Sequence, residues 1–172
     1  MSKAIFFDRD GVINEPVVKD GKPYPPNSLD ELALLPNVKL GISKLREADF
    51  KIFVVTNQPD VARGKTPQVE VDKIHNYLQK ELSIDEIRCC FHDDSDDCSC
   101  RKPKPGMIVD LAKKWNIDLE QSYLVGDRWR DIEAGKAAGL KTVLIDYNYN
   151  EKRVVADFTC TNFIETINII LT

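Results

Sequence analysis

Two aspartates, Asp8 and Asp10, stand two positions apart where the apolar run Ile5-Phe6-Phe7 meets a glycine turn at Gly11. Alternate residues of a strand project to the same side, so both carboxylates are expected at one strand end. Crowded carboxylates repel each other, and burying them is costly without a cation or a shared proton. Such a pair is suited to chemistry, one carboxylate acting as nucleophile or metal ligand and the other as acid/base.

Cysteine supplies the second concentration of reactive groups. Of Cys89, Cys90, Cys98, Cys100 and Cys160, four fall within a dozen residues. The N-terminus runs directly into the Asp8 strand without a basic, apolar and cleavage-site pattern, so no signal peptide is expected. Without secretion, clustered cysteines read as metal ligands rather than disulfides.

The elements that must position these groups alternate between strand-like and helix-like patterns. Strands are expected at 3–8, 51–56, 87–91, 122–126 and 141–145. Helices are expected at 38–48, with Val38, Leu40, Ile42 and Leu45 on the apolar side, and at 67–82, with Val71, Ile74, Leu78 and Leu82. Further helices are expected from Pro105-Gly106 through Trp115, at 130–138 before a Gly139 cap, and at 162–171. Residues 14–30 read as a long irregular loop beside the aspartate pair, and such loops are often functional. His75 is expected at the surface or boundary of its helix. The alternation predicts a three-layer α/β fold with a mainly parallel sheet. Ligands bind beyond the carboxyl ends of such strands, where Asp8, Thr56 and Asp127 are expected to converge.

The 172 residues suffice for one domain with a real core, and 42% apolar and 30% charged residues describe an ordinary soluble protein. No apolar run reaches the roughly 18 residues of a membrane span. A net charge of −4 without a long basic block argues against a nucleic-acid partner. A small anionic substrate stays compatible, because local charge can oppose net charge. A cytoplasmic monomer is expected.

Four segments occur in order: Asp8-Arg9-Asp10-Gly11-Val12, Thr56-Asn57-Gln58, Arg101-Lys102-Pro103-Lys104-Pro105-Gly106 and Gly126-Asp127-Arg128-Trp129-Arg130-Asp131. Together they resemble the haloacid dehalogenase (HAD) superfamily of aspartate-nucleophile phosphatases, over nearly the whole chain. The resemblance implies a Rossmann-like HAD fold and assigns roles. Asp8 would attack phosphorus, and Asp10 would protonate the leaving oxygen and then activate water. The nearby Asp8 would raise the pKa of Asp10. A Mg²⁺ ion would sit on Asp8, Asp127 and the Asp10 carbonyl. Thr56 and the Asn57 backbone would hold the phosphoryl oxygens, and Lys102 would supply positive charge. Asp131 would either support the metal from behind or cap a helix.

Cys90-x-His92-x5-Cys98-x-Cys100 offers the four ligands of a closed, structural Zn²⁺ site. Cys89 is the competing ligand, and Cys160 reads as an ordinary buried thiol. The acidic run 93–97 lacks EF-hand spacing and reads as a solvated loop. A zinc loop, about 89–101, feeding into Arg101-Lys102-Pro103 is similar to the group that holds the D,D-heptose 1,7-bisphosphate and histidinol-phosphate phosphatases. That resemblance implies a single domain over 1–172 without a large cap, and a small phosphorylated sugar as substrate. Histidinol phosphate is the alternative, a phosphotransferase another, and a non-catalytic zinc-stabilised module lies outside the class. Arg101, Arg128, Asn57 and Gln58 would contact substrate. Where the heptose enzymes read Ser-Gly-Ile-Ala-Arg-Gly after Thr-Asn-Gln, this chain has Pro59-Asp60-Val61-Ala62-Arg63-Gly64, and it carries Arg128 where they commonly have lysine.

Overall fold

A computed structural model describes all 172 residues. Its spine is a six-stranded sheet. The first strand, β1 (Ala4–Phe7), is followed by the small strands β2 (Val17–Lys19) and β3 (Lys22–Tyr24), and then by helix α1 (Val38–Glu47). The chain continues through β4 (Lys51–Asn57), α2 (Gln68–Glu81), β5 (Glu86–Cys90), α3 (Gly106–Trp115) and β6 (Tyr123–Gly126). It closes with α4 (Trp129–Ala138), β7 (Lys141–Ile145), β8 (Phe158–Cys160) and α5 (Phe163–Leu171). The main sheet has the order β5-β4-β1-β6-β7-β8, and every neighbouring pair is parallel.

Strand alternation explains the three layers. Ile5 and Phe7 face one side of the sheet, where Ile42, Leu45, Ile74, Leu78, Phe163 and Ile167 of α1, α2 and α5 cover them. Ala4 and Phe6 face the other, against Met107, Ile108 and Leu111 of α3 and Ala134 of α4. All four β1 side chains are buried, which is why this strand reads as unbroken apolar sequence. Each fully buried side chain of this size contributes about 1.5–3 kcal/mol. Central β1 therefore holds Asp8, the next residue, on a rigid base.

Two expectations need correction, and one strand has no counterpart among them. Residues 14–30 are not wholly irregular, since β2 and β3 pair as an antiparallel hairpin closed at Asp20-Gly21, both with positive φ. The mostly exposed side chains of that hairpin gave no alternation to read. Leu40 is exposed, and Gly41 takes the inward place, with α5 so close that a Cβ there would lie 2.6 Å from Phe163. The edge strand β8 went unpredicted because it has three residues, two of them exposed. Tertiary bonds fix it: Asp157 accepts from the backbone N–H and hydroxyl of Thr142, each at 2.7 Å. No helix is long and apolar enough to cross a membrane.

Candidate active site

Four adjacent strands deliver these groups to the carboxyl edge of the sheet. Asp8 follows β1, Thr56 and Asn57 end β4, Cys90 ends β5, and Asp127 follows β6. The Asp8 amide is tied to the Val125 carbonyl at 2.9 Å, which locks the first and last of these ends together.

The centre of the site is a buried ion network. Lys102 Nζ donates to Asp8 Oδ1 at 2.7 Å, to Asp131 Oδ1 at 2.5 Å and to the Val55 carbonyl at 2.7 Å. All three of its N–H groups are thereby used. Burial would depress this lysine, but the charges of Asp131 and Asp8 hold it above its ordinary value. Asp131 also accepts from the Arg128 backbone amide through Oδ2 at 3.1 Å, which caps the start of α4. It therefore holds Lys102 and caps a helix at once. Burial, with the Asp131 charge added, pushes Asp8 up to about 6 against the pull of Lys102.

Asp127 is buried, and neither of its carboxylate oxygens has a hydrogen-bond partner. The Tyr149 phenol is close enough for the Asp127 charge to suppress its ionisation, yet it lacks hydrogen-bond geometry. Burial and the charges of Asp8 and Asp131 push Asp127 well above the carboxylate range. A buried, orphaned carboxylate is expensive unless something positive completes it. Asp8, Asp127 and Asp131 each place one oxygen within 4.8 Å of the others. Because Asp131 is fully engaged, Asp8 and Asp127 remain as donors. Hard oxygen donors of this number fit a small divalent cation such as Mg²⁺. Gly11 makes room for them: its φ is +85°, and a Cβ there would lie 2.0 Å from Asp127 Oδ2.

Asp10 sits in a different environment from the one expected. Arg9, fully buried, grips it through Nε at 3.2 Å and Nη2 at 3.0 Å, while Asn14 Nδ2 and Gln58 Nε2 donate at 2.9 and 2.8 Å. Burial alone would raise Asp10, but Arg9 and the two amides hold it below the ordinary range. The expected upward shift from Asp8 is thus reversed. Behind Arg9, His75 Nε2 lies 3.0 Å from Arg9 Nη1. A guanidinium can only donate, so Nε2 is the acceptor and the proton sits on Nδ1. Burial and the Arg9 charge push His75 down to about 3, so it is neutral. His75 is therefore a buried partner of the motif, not the surface or boundary residue expected. Its α2 neighbours alone could not reveal an arginine 66 positions away.

The other expected substrate contacts divide. Thr56 Oγ1 accepts from Gln58 at 2.9 Å, which leaves its own O–H to donate, and Thr56 lines the cleft. Asn57 lines it too, but its side chain is spent on the Lys102 backbone, with two bonds of 3.1 Å. Gln58 is buried behind Asp10 and absent from the cleft wall, so it positions rather than contacts. Arg101 and Arg128 both line the cleft, paired with Asp94 and Glu151. Sequence reading missed Arg63, Arg130, Lys22 and Tyr24, which share this wall. The cleft is polar, about 420 Å³ in volume, a size typical of small-molecule sites.

The cysteine loop gathers as its spacing foretold. Cys90 Sγ lies 3.7 Å from Cys98 Sγ and 3.0 Å from Cys100 Sγ, and Cys98 and Cys100 are 3.5 Å apart. His92 Nδ1 is 3.5 Å from Cys90 and 3.3 Å from Cys100. A tetrahedral site with Zn–S near 2.3 Å needs S···S of about 3.7 Å, so these four groups could hold such a metal. Cys89, next along β5, turns to the other side toward Arg9, where burial pushes its thiol up to about 12. Burial also raises Cys160, to about 11.

Comparison with known proteins gives the same picture. Residues 99–165 match the HAD-hydrolase-like family model. A D-glycero-beta-D-manno-heptose-1,7-bisphosphate 7-phosphatase of Rhodopseudomonas palustris is 37% identical, the match covering 80% of this chain and 79% of the relative. One of the same name from Helicobacter pylori is 31% identical over 98% of both chains. The crystal structure of the D,D-heptose 1,7-bisphosphate phosphatase from B. bronchiseptica, complexed with magnesium and phosphate, superposes with a TM-score of 0.85 at 30% identity, covering 98% of each chain.

Proposed function

Because this chain belongs to the haloacid dehalogenase superfamily of phosphatases, we propose that Asp8 is the nucleophile of a Mg²⁺-dependent hydrolysis of a phosphorylated sugar. D-glycero-D-manno-heptose 1,7-bisphosphate is the substrate we favour, since relatives carry that activity in their names. One observation carries the catalytic reading: a lysine-held Asp8 on the cleft floor beside an orphaned, buried Asp127.

Asp8 attacks phosphorus with a carboxylate oxygen, forming an O–P bond as the P–O bond to the sugar breaks. Lys102 keeps Asp8 oriented and offsets its charge. The departing sugar oxygen takes a proton from Asp10. Arg9, Asn14 and Gln58 favour the ionised form of Asp10 at rest, and an approaching phosphate dianion opposes them by raising its pKa. The resulting Asp10 carboxylate then takes a proton from a water. That water attacks phosphorus, breaks the bond to Asp8 and releases phosphate. The Thr56 hydroxyl and the Asn57 backbone N–H donate to the phosphoryl oxygens throughout. Mg²⁺, held by Asp8, Asp127 and the Asp10 carbonyl, would neutralise charge on the phosphoryl oxygens.

Zn²⁺ on Cys90, His92, Cys98 and Cys100 would leave no open position, so it serves structure. It would brace the turn that carries Arg101 and Lys102. Elemental analysis of the purified protein should find about one zinc per chain, lost when Cys98 and Cys100 are replaced by serine. The chain reads as one catalytic unit, since a single sheet takes strands from Ala4 to Cys160. We read it as a cytoplasmic monomer.

A phosphate-release screen over sugar mono- and bisphosphates and histidinol phosphate tests the substrate. The heptose bisphosphate should show the highest kcat/KM. Preference for histidinol phosphate would replace the substrate assignment, and no release from any ester would remove the enzymatic one.

A further inference from the structure

The four arginines of the cleft are already paired with carboxylates of the chain, and one carboxylate, Asp94, holds two of them. Asp94 projects from the metal loop between two arginines of different motifs. Its Oδ1 accepts from Arg101 Nε at 2.9 Å and from Arg130 Nη1 at 2.9 Å, and its Oδ2 accepts from Arg130 Nη2 at 3.3 Å. Arg101, Arg130 and Asp94 line the same cleft as Asp8 and Lys102. A carboxylate chelated by two guanidinium groups has the geometry of a bound anion.

We propose that Asp94 occupies, as an internal anion, a distal subsite formed by Arg101 and Arg130, and that a substrate's remote phosphate displaces it. This inference rests on the phosphatase reading of the cleft and adds Arg130 and Asp94 as determinants of specificity. Both arginines are held on rigid supports. Arg130 lies in the first turn of α4 one residue before Asp131, stacks on Trp129 with its guanidinium 4.8 Å from the ring centre, and reaches the Lys102 carbonyl at 3.4 Å. Arg101 donates to the His92 carbonyl at 3.2 Å. Asp94 is the solvated member of the trio: its side chain is 57% exposed, while those of Arg101 and Arg130 are 11% and 27% exposed.

That asymmetry makes the exchange possible and selective. An ion pair open to water is weak, so Asp94 is readily displaced and is solvated once released. A phosphate dianion brings twice the charge and a third oxygen to the same two forks. A hydroxyl or a monoanion brings no such advantage over the resident carboxylate. Asp94 thus raises the threshold for occupying the subsite, and only a strongly anionic distal group passes it. Substrates whose second end is neutral leave the latch closed.

Titration calorimetry of fructose 1,6-bisphosphate and fructose 6-phosphate against the intact protein, with Mg²⁺ present, tests this without requiring turnover. In Asp94→Asn the ratio of the two affinities should shift toward the bisphosphate by about three- to fivefold, the scale of an exposed ion pair. In Arg130→Gln the ratio should shift the opposite way by a similar factor. Loop damage would move both variants in the same direction, so shifts of one sign overturn the proposal. So does an unchanged ratio in Asp94→Asn, or a wild-type protein that binds neither ligand. Phosphate release from the same two esters, followed in parallel, separates this result from the phosphatase assignment. A wild type that binds but hydrolyses neither would defeat that assignment while the affinity ratio still decides the latch.

Discussion

Asp8→Asn is expected to abolish phosphate release, by a factor of at least about 10⁴, the scale on which loss of a covalent nucleophile acts in other enzymes. An amide oxygen is too weak a nucleophile to form the O–P bond. The same change should leave the fold intact and raise the thermal midpoint at neutral pH. Asp8 is destabilised by its own burial and by the charge of Asp131, which is why its carboxyl rises to about 6. With a folded pKa above the ordinary 3.8, the native state holds a proton that the unfolded chain releases. Stability in the metal-free protein therefore falls as pH rises through that window. A neutral side chain removes this dependence. Function here demands a charge that the fold would reject, so activity and stability should move in opposite directions.

The second large effect belongs to Lys102. Lys102→Met should cost about 3–5 kcal/mol of stability, the usual penalty for stranding a buried charge, together with most of the activity. Two carboxylates, Asp8 and Asp131, would lose their shared cation, and the Val55 carbonyl would lose a donor. The pH dependence has a definite sign. Lys102 is raised above its ordinary 10.5, so its contribution is complete below that value and fades only as pH climbs beyond it. In the variant the stranded Asp8 carboxylate, already raised by burial, is tolerated once protonated. The deficit should thus be greatest near neutral and alkaline pH and shrink as pH falls into the carboxylate range. Denaturant melts of the two proteins at pH 5 and pH 8 would show it, and an equal deficit at both would contradict the buried network.

The catalytic edge was legible in sequence because parallel strands deliver their next residue to one side of the sheet. Asp8, Thr56 and Asp127 each follow a buried apolar run, and that pattern is local. The cysteine loop was legible for a similar reason, since the four groups that could hold a metal are separated by at most a few residues. What could not be read depends on partners brought together by folding. His75 looks like an ordinary helix residue until Arg9 is found against it. Gln58 reads as a pocket residue by its neighbour Asn57, yet the strand turn sends it behind Asp10. The downward shift of Asp10 follows from Arg9, Asn14 and Gln58 jointly, and pairwise reasoning from Asp8 gave the wrong sign. Arg63 and Arg130 reach the cleft because the chain folds the metal loop against them, where Asp93 and Asp94 pair with them, and no local pattern marks that contact.

The central claim is that Asp8 carries the phosphoryl group covalently. Asp10→Asn should still form that bond with an aryl phosphate, whose leaving group needs no proton, but should lose the base that activates water for the second step. Mass spectrometry of this variant after mixing with p-nitrophenyl phosphate and Mg²⁺ is the most direct test. A mass increase of one phosphoryl group is expected, mapped to the peptide holding Asp8 and absent from the Asp8→Asn protein. A phosphoryl group on any other residue, or steady phosphate release by Asp8→Asn, would contradict it.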